Sequence, residues 1–176
     1  MAWNARGRAA RVFGDVLEGF ERDGFEVERT GLAARLTREG CVPLRARVVE
    51  QGRIFGGTYA LELSTDEAVL PATRGLRGRG RGVVRLGGVD FRARGHDEAG
   101  RLLGARLEQD EQLQRALAAV HFDRVRVEPD GRPVIRHMGG SVVWILFPPL
   151  VRPVPLVREQ RRAAVNALEE FARATA

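Results

Sequence analysis

The sequence predicts an α+β fold in which a largely antiparallel sheet of about six to eight strands packs against three main helices. Three observations support this fold class. Apolar residues recur at helical spacing in three segments. Between those segments, apolar and polar residues alternate in short runs bounded by glycine turns, as in a half-buried sheet. One uninterrupted apolar run then predicts a strand at the centre of the sheet.

The predicted helices span residues 5–22, 97–120 and 158–174. In the first helix, Val12, Val16 and Phe20 share one face, so the opposite, charged face meets water. The second helix begins with acidic residues, which suit the positive end of the helix dipole, and its leucine stripe is interrupted near Gly104. The third helix again sets an apolar side against a charged one.

The predicted strands cover residues 25–29, 32–36, 42–48, 54–64, 89–94, 123–128, 133–138 and 142–147. Gly31 and Gly131 lie in the turns of two hairpins, where glycine adopts backbone angles that other residues avoid. Gly56 and Gly57 stand inside a strand, which predicts a bulge or the close approach of another segment.

The run from Val142 to Phe147 is the predicted centre of the core. It offers no polar face to water, so we expect this strand to be covered on both sides. Pro148 and Pro149 cannot donate to a ladder and therefore end it. The exit as far as Pro155 is too long for a turn, and we expect it to follow the sheet edge or a second subunit.

Length predicts one domain, residues 1–176. Within it, halves 1–70 and 89–176 are joined by an Arg/Gly-rich segment, 71–88. Shifted by 100 positions, the halves share an order of helix and three strands, and Asp23, Gly31, Gly40 and Val42 meet identical residues. Two readings stay open, namely two pseudo-repeated helix-strand-strand-strand halves or a coincidental match.

The basic character of the chain is concentrated in one segment. All 29 basic residues are arginine, a bias that indicates a GC-rich bacterial genome and makes the pI of 11.1 a weak argument for a nucleic-acid partner. Residues 71–95 contain many arginines but only one acid, Asp90, so the net charge of +6 arises there.

The remaining composition predicts a cytoplasmic protein. The single cysteine, Cys41, excludes an internal disulfide and fits a reducing compartment. No apolar h-region follows the first charges, so no signal peptide is visible. The longest apolar run, residues 142–151, is about half of a membrane span, so we expect no transmembrane segment.

The Arg/Gly-rich segment is the first candidate site. Guanidinium groups bind phosphate bidentately, and the intervening glycines let the backbone approach an anion. The candidate anion-binding residues are Arg74, Arg77, Arg79, Arg81 and Arg85, with an anionic partner such as nucleic acid expected along residues 74–94. The alternative is an ordinary basic loop or edge hairpin, in which Val83, Val84 and Leu86 join the sheet.

His96 and Asp97 are the second candidate site, because an imidazole beside carboxylates could serve acid-base or metal chemistry. The alternative is structural, since this position suits the start of a helix. The glycines of the basic segment do not form a dinucleotide fingerprint, and the chain has no lysine for a phosphate loop. We expect no cofactor and no metal site.

Residues 89–138 give the order of an apolar strand, a leucine-rich helix and a Val-x-Val hairpin with Asp-Gly at its tip. This order resembles uncharacterised bacterial families of unknown function, and the resemblance implies no activity. Three hypotheses follow. The first is a non-enzymatic binding or scaffold domain, with a homo-oligomer expected. The second is a nucleic-acid binding protein that contacts the phosphate backbone. The third is a small hydrolase or metal-dependent enzyme around His96 and Asp97.

Overall fold

The structure is a computed structural model that describes residues 5–53, 55–81, 87–145 and 150–174. These residues form four helices, α1 (Ala5–Arg22), α2 (Glu98–Gln109), α3 (Glu111–Ala118) and α4 (Arg158–Arg173). They also form nine strands: β1 (Glu26–Thr30), β2 (Ala33–Thr37), β3 (Leu44–Arg53), β4 (Gly56–Thr65), β5 (Leu76–Arg81), β6 (Gly88–Ala93), β7 (Phe122–Val127), β8 (Pro133–Ile145) and β9 (Leu150–Val154).

The nine strands make one sheet in which every described pairing is antiparallel. Its order is β1-β2-β3-β4-β8-β7-β5-β6, and β9 pairs with β8. The four helices cover one face of this sheet, where Leu36, Leu61, Leu76 and Ile135 are fully buried with them. The α+β class and the antiparallel sheet are confirmed, with nine strands rather than six to eight.

The predicted second helix is two helices, and the break lies at Asp110 rather than near Gly104. The Asp110 side chain accepts hydrogen bonds from the backbone N–H groups of Gln112 and Leu113, so it caps the start of α3. Gly104 has a different role. A Cβ atom there would lie 3.1 Å from the carbonyl oxygen of Phe91, so glycine lets α2 pack closely on β6.

The two predicted strands 133–138 and 142–147 are one strand, β8, with a bulge between its halves. β8 takes five residue steps, from His137 to Val142, where β4 takes two, from Leu61 to Tyr59. Gly140, at φ 73°, permits this irregular backbone. The first half of β8 pairs with β7 and the second with β9, while β4 follows the opposite edge of both.

The expectation that the apolar run is covered on both sides was wrong. Val142 is buried against α1, but Val143 is only half-buried because it points away from the helices. The central position in the sheet is confirmed for β8, although Leu146 and Phe147 lie outside the described residues.

The proline-rich exit follows the sheet edge, as expected. Its residues 150–154 pair with the second half of β8, and Pro153 lies opposite Val142. β9 has no second partner among the described strands, so the missing N–H of Pro153 is tolerated there. Pro148 and Pro149 lie outside the described residues.

The internal repeat stays a prediction, although the turn glycines agree between the two halves. Gly31 and Gly131 have φ values of 63° and 88°, and Gly40 and Gly140 both have φ 73°. The third strand differs between the halves. It follows a turn in the first half, whereas in the second half it is continuous with the strand before it.

The two hairpin glycines provide a matched test of packing around the second turn. A Cβ atom at Gly131 would overlap the carbonyl oxygen of Leu70, whereas nothing lies within 4 Å of one at Gly31. Both positions have positive φ, so we expect Gly31→Ala to lower the free energy of unfolding by about 1 kcal/mol. We expect Gly131→Ala to cost at least about 2 kcal/mol more. Urea unfolding measures both losses, and equal losses would contradict the described packing.

Candidate functional site

The sheet face that the helices leave uncovered carries most of its charge as arginine. We call it the open face. Because side chains alternate along each strand, the residues between the core positions point to this face. Its arginines include Arg35, Arg45, Arg47, Arg77, Arg79, Arg92, Arg124, Arg126, Arg136 and Arg152. Some of them are paired with acids and others are not, and this difference divides the open face into three regions.

The first region is a cluster centred on the carboxylate of Glu62, which is 2% exposed. Three guanidinium groups donate to it: Arg47 at 2.9 Å, Arg126 at 2.8 Å and Arg136 at 2.7 Å. These residues stand on β3, β7 and β8, on both sides of β4. Glu128 accepts a further bond from Arg126. The Glu62 cluster therefore joins four adjacent strands through one buried charge.

The protonation state of Glu62 follows from these contacts. Burial alone would raise the pKa of Glu62, because it disfavours a charge, but the hydrogen bonds from Arg126, Arg136 and Arg47 lower it to about 2. Glu62 is therefore ionised at any pH near neutrality. It serves as a fixed anion that holds the arginines in place.

The second region is the basic hairpin, formed by β5, β6 and Arg94. Arg77 lies directly opposite Arg92 in the register, and Arg79, two residues further along β5, lies opposite Asp90. The side chains of Arg77, Arg79, Arg92 and Arg94 are exposed, and none has an ion-pair partner among the described residues. These four arginines outnumber the one described acid of the hairpin, Asp90, so the hairpin carries net positive charge on the open face.

The structure places the predicted anion-binding residues only partly together. Arg77 and Arg79 lie side by side on β5, whereas Arg74 precedes that strand and is exposed. Arg81 ends β5, but its side chain lies outside the described residues. Arg85 is outside them too, as are Val83, Val84 and Leu86. Arg92 and Arg94 were not among the predicted anion-binding residues, although they lie within the basic segment, residues 71–95.

Asp97 has the contacts of a helix cap. One carboxylate oxygen accepts the backbone N–H of Arg74 at 2.6 Å, and the other accepts that of Gly100 at 3.0 Å. These two bonds lower the pKa of Asp97 below its ordinary value. His96 is exposed beside it. The described residues contain no group of three or more His, Cys, Asp or Glu side chains arranged to hold a metal ion.

The third region is a trough of about 1000 Å³ along β4 and the bulged strand β8. Its apolar wall includes Ala60, Val143 and Ile145, and two exposed side chains, Phe55 and Met138, stand beside it. Arg124, Arg136 and Asp123 line it as well. Sequence reasoning missed this site, because Val143 and Ile145 belong to the apolar run that was taken for core.

Three residues that line the trough carry the buried side-chain nitrogens without a hydrogen-bond partner in the described chain: Nη1 of Arg136, Nε2 of His137 and Nε1 of Trp144. Arginine and tryptophan nitrogens are donors only. In His137, Nδ1 accepts the backbone N–H of Gly139 at 2.8 Å, which leaves the proton on Nε2. Burial lowers the pKa of His137 to about 4, so the ring is neutral near pH 7. All three unpartnered atoms are therefore donors.

The fold and these regions define a class of protein, a two-layer α+β domain whose open sheet face is rich in arginine and carries a trough. The chain belongs to the family described as "Protein of unknown function (DUF3156)", whose model matches residues 17–175. This confirms the expected uncharacterised family. No curated protein and no solved structure matches the chain. None of the described helices combines the length and apolar character that crossing a membrane requires.

Removing the charge of Glu62 should destabilise the fold, because three arginines would lose their shared acceptor. We expect Glu62→Gln to lower the free energy of unfolding by about 3 kcal/mol or more. Asp66→Asn is the matched control. It removes one carboxylate of the same face from Arg35 and Arg45, whose side chains are 47% and 49% exposed. We expect that loss to be about 1 kcal/mol or less. Urea unfolding at pH 7 compares the two variants, and similar losses would contradict the central role of Glu62.

Protonation of His137 should lower the free energy of unfolding as the pH falls below 6.5. Its pKa is about 4 in the folded chain, below its ordinary value of 6.5, so the unfolded chain binds the proton first as the pH falls. The stability that neutral His137 contributes is therefore fully present above pH 6.5. By pH 4 the free energy of unfolding has fallen by about 3 kcal/mol. Unfolding in urea across this range measures the slope. We expect a shallower slope in His137→Gln, and an unchanged slope would refute the assignment.

Proposed function

We propose that this protein is a non-enzymatic binding domain that contacts the phosphate backbone of nucleic acid through the basic hairpin. The observation that supports this proposal is the placement of Arg77 directly opposite Arg92, with Arg79 and Arg94 beside them. None of the four has a described ion-pair partner, and Asp90, opposite Arg79, is the one described acid of the hairpin. A bound polyanion would supply the missing negative charge.

The energetics of the sheet favour such a partner. Like charges directly opposite each other on one face destabilise a sheet. Around Glu62 and Asp66 the open face reduces this cost, since these acids pair with five of its arginines, although Arg124, opposite Arg136, has no described ion-pair partner. The basic hairpin stands out against that pattern. Phosphate groups accept paired hydrogen bonds from guanidinium groups and release counterions when they bind them.

The hairpin supports recognition of the backbone rather than of bases. Its aromatic residue in the described chain, Phe91, is buried on the helix side against Phe171. Binding without exposed aromatic rings lacks the stacking that single-strand binders use. We therefore propose binding that depends strongly on salt and weakly on sequence.

The other expectations about function stay predictions. They comprise a homo-oligomer, a bacterial cytoplasmic setting and a scaffold role for the domain. A small hydrolase or metal-dependent enzyme around His96 and Asp97 is the least favoured of the three hypotheses. Both oxygens of Asp97 are engaged by backbone N–H groups, and this arrangement suits a structural carboxylate better than a catalytic one.

The proposal predicts salt-dependent binding of labelled duplex DNA or RNA, measured by fluorescence anisotropy over a range of salt concentrations. For duplex DNA, each arginine that contacts a phosphate adds about 0.9 to the slope of log K against log salt. We expect the triple variant R77Q/R79Q/R92Q to weaken binding at low salt and to reduce that slope.

A second triple variant, R11Q/R106Q/R162Q, serves as the control because it removes the same charge from exposed positions on α1, α2 and α4. It should keep most of the binding if the hairpin is the contact surface. Equal losses in the two triples would indicate attraction by net charge alone. That outcome, or no binding by the wild-type chain even at low salt, would overturn the proposal.

A further inference from the structure

The trough along β4 and β8 combines an apolar wall with an unpartnered donor, Nη1 of Arg136, at one end. We propose that it binds a long-chain monocarboxylate, with the acyl chain along β8 and the carboxylate at Arg124 and Arg136. This site uses none of the arginines of the basic hairpin, and the inference therefore stands independently of nucleic-acid binding.

The apolar part of the trough is suited to an acyl chain. Val143 and Ile145 are half-buried on β8, and Ala60 lies beside them on β4. Phe55 is 72% exposed and Met138 is 59% exposed, both at the trough. Contiguous exposed apolar patches mark binding surfaces, whereas single exposed apolar residues do not. An acyl chain would bury them.

The polar end of the trough has a free donor for a negatively charged acceptor. Arg136 lines the trough, its side chain is only 9% exposed, and its Nη1 has no hydrogen-bond partner. Asp123 forms an ion pair with this nitrogen, but its oxygen lies 3.7 Å away, beyond hydrogen-bonding distance. Leaving a buried donor unpaired is costly, so an arriving carboxylate oxygen would gain a strong bond.

Charge in this region also favours an anion. Arg124 is exposed at the trough and has no described ion-pair partner. Arg136 shares the single charge of Glu62 with two other arginines.

The length of the trough is suited to a long acyl chain. Arg136 lies opposite Glu62 and Ile145 lies opposite Gly56, so six residue steps of β4 separate the two ends. At about 3.3 Å per residue this is roughly 20 Å, comparable with an extended long-chain acyl group. Trp144 stands between Val143 and Ile145 on β8, and its ring packs on the helix side, so its fluorescence reports a ligand in the trough indirectly.

The experiment titrates the full chain with dodecanoate below its micelle concentration. The chain has two tryptophans, and W3F leaves Trp144 as the sole reporter. We expect saturable binding with one site per chain, seen in Trp144 fluorescence and by calorimetry. Each buried methylene should tighten binding about fourfold, so octanoate should bind weaker by on the order of a hundredfold. Methyl dodecanoate, which lacks the charge, should bind at least about tenfold weaker.

Two single variants separate the trough from general positive charge. Arg124→Gln removes an exposed trough arginine and should weaken dodecanoate binding about tenfold or more, without changing thermal unfolding. Arg92→Gln removes an exposed arginine of the basic hairpin and should leave the affinity unchanged. The proposal is overturned if dodecanoate does not saturate, if the neutral ester binds as tightly, or if the two variants weaken binding equally.

Discussion

The buried carboxylate of Glu62 is the interaction on which the rest of the structure depends. It lies on β4, next to the junction of the strand groups β1 to β4 and β5 to β8, and it is bonded to arginines from both. A lone buried charge would be costly, and so would three adjacent arginines without an acid. The Glu62 carboxylate and its three arginines therefore stabilise the fold only when they are present together. The open face can carry so many guanidinium groups only because one acid at its centre fixes their positions.

This arrangement also separates the stabilising charges of the face from the available ones. Apart from Arg136, the arginines that bond to Glu62 and Asp66 serve to fix the sheet, so they add rigidity but little affinity for a ligand. At the basic hairpin and at the end of the trough, donors remain unused. The two proposed sites are the places where the sheet does not satisfy its own polar groups. A common scaffold thus supports both without their sharing a residue.

Much of the fold could be predicted because local patterns dictate it, whereas the site depends on register. Periodicity located α1, α4 and most of the strands. It misplaced the break between α2 and α3, because the capping by Asp110 outweighs the weak helix propensity of Gly104. It also could not show that arginines 15, 64 and 74 positions away converge on Glu62, or that Val143 faces a trough. Both facts depend on which strands become neighbours, and alternation within one strand carries no such information.

The bulge in β8 has a consequence for how that strand can change in evolution. Between His137 and Val142 it adds an odd number of residues relative to β4, so inward positions are odd-numbered before it and even-numbered after it. Across the bulge, the side chains of odd-numbered positions change from the inward to the outward face of the sheet. Loss of a single residue here would turn Val142 outward and bring Val143 against α1. We therefore expect substitutions within the bulge to be tolerated far better than any change in its length.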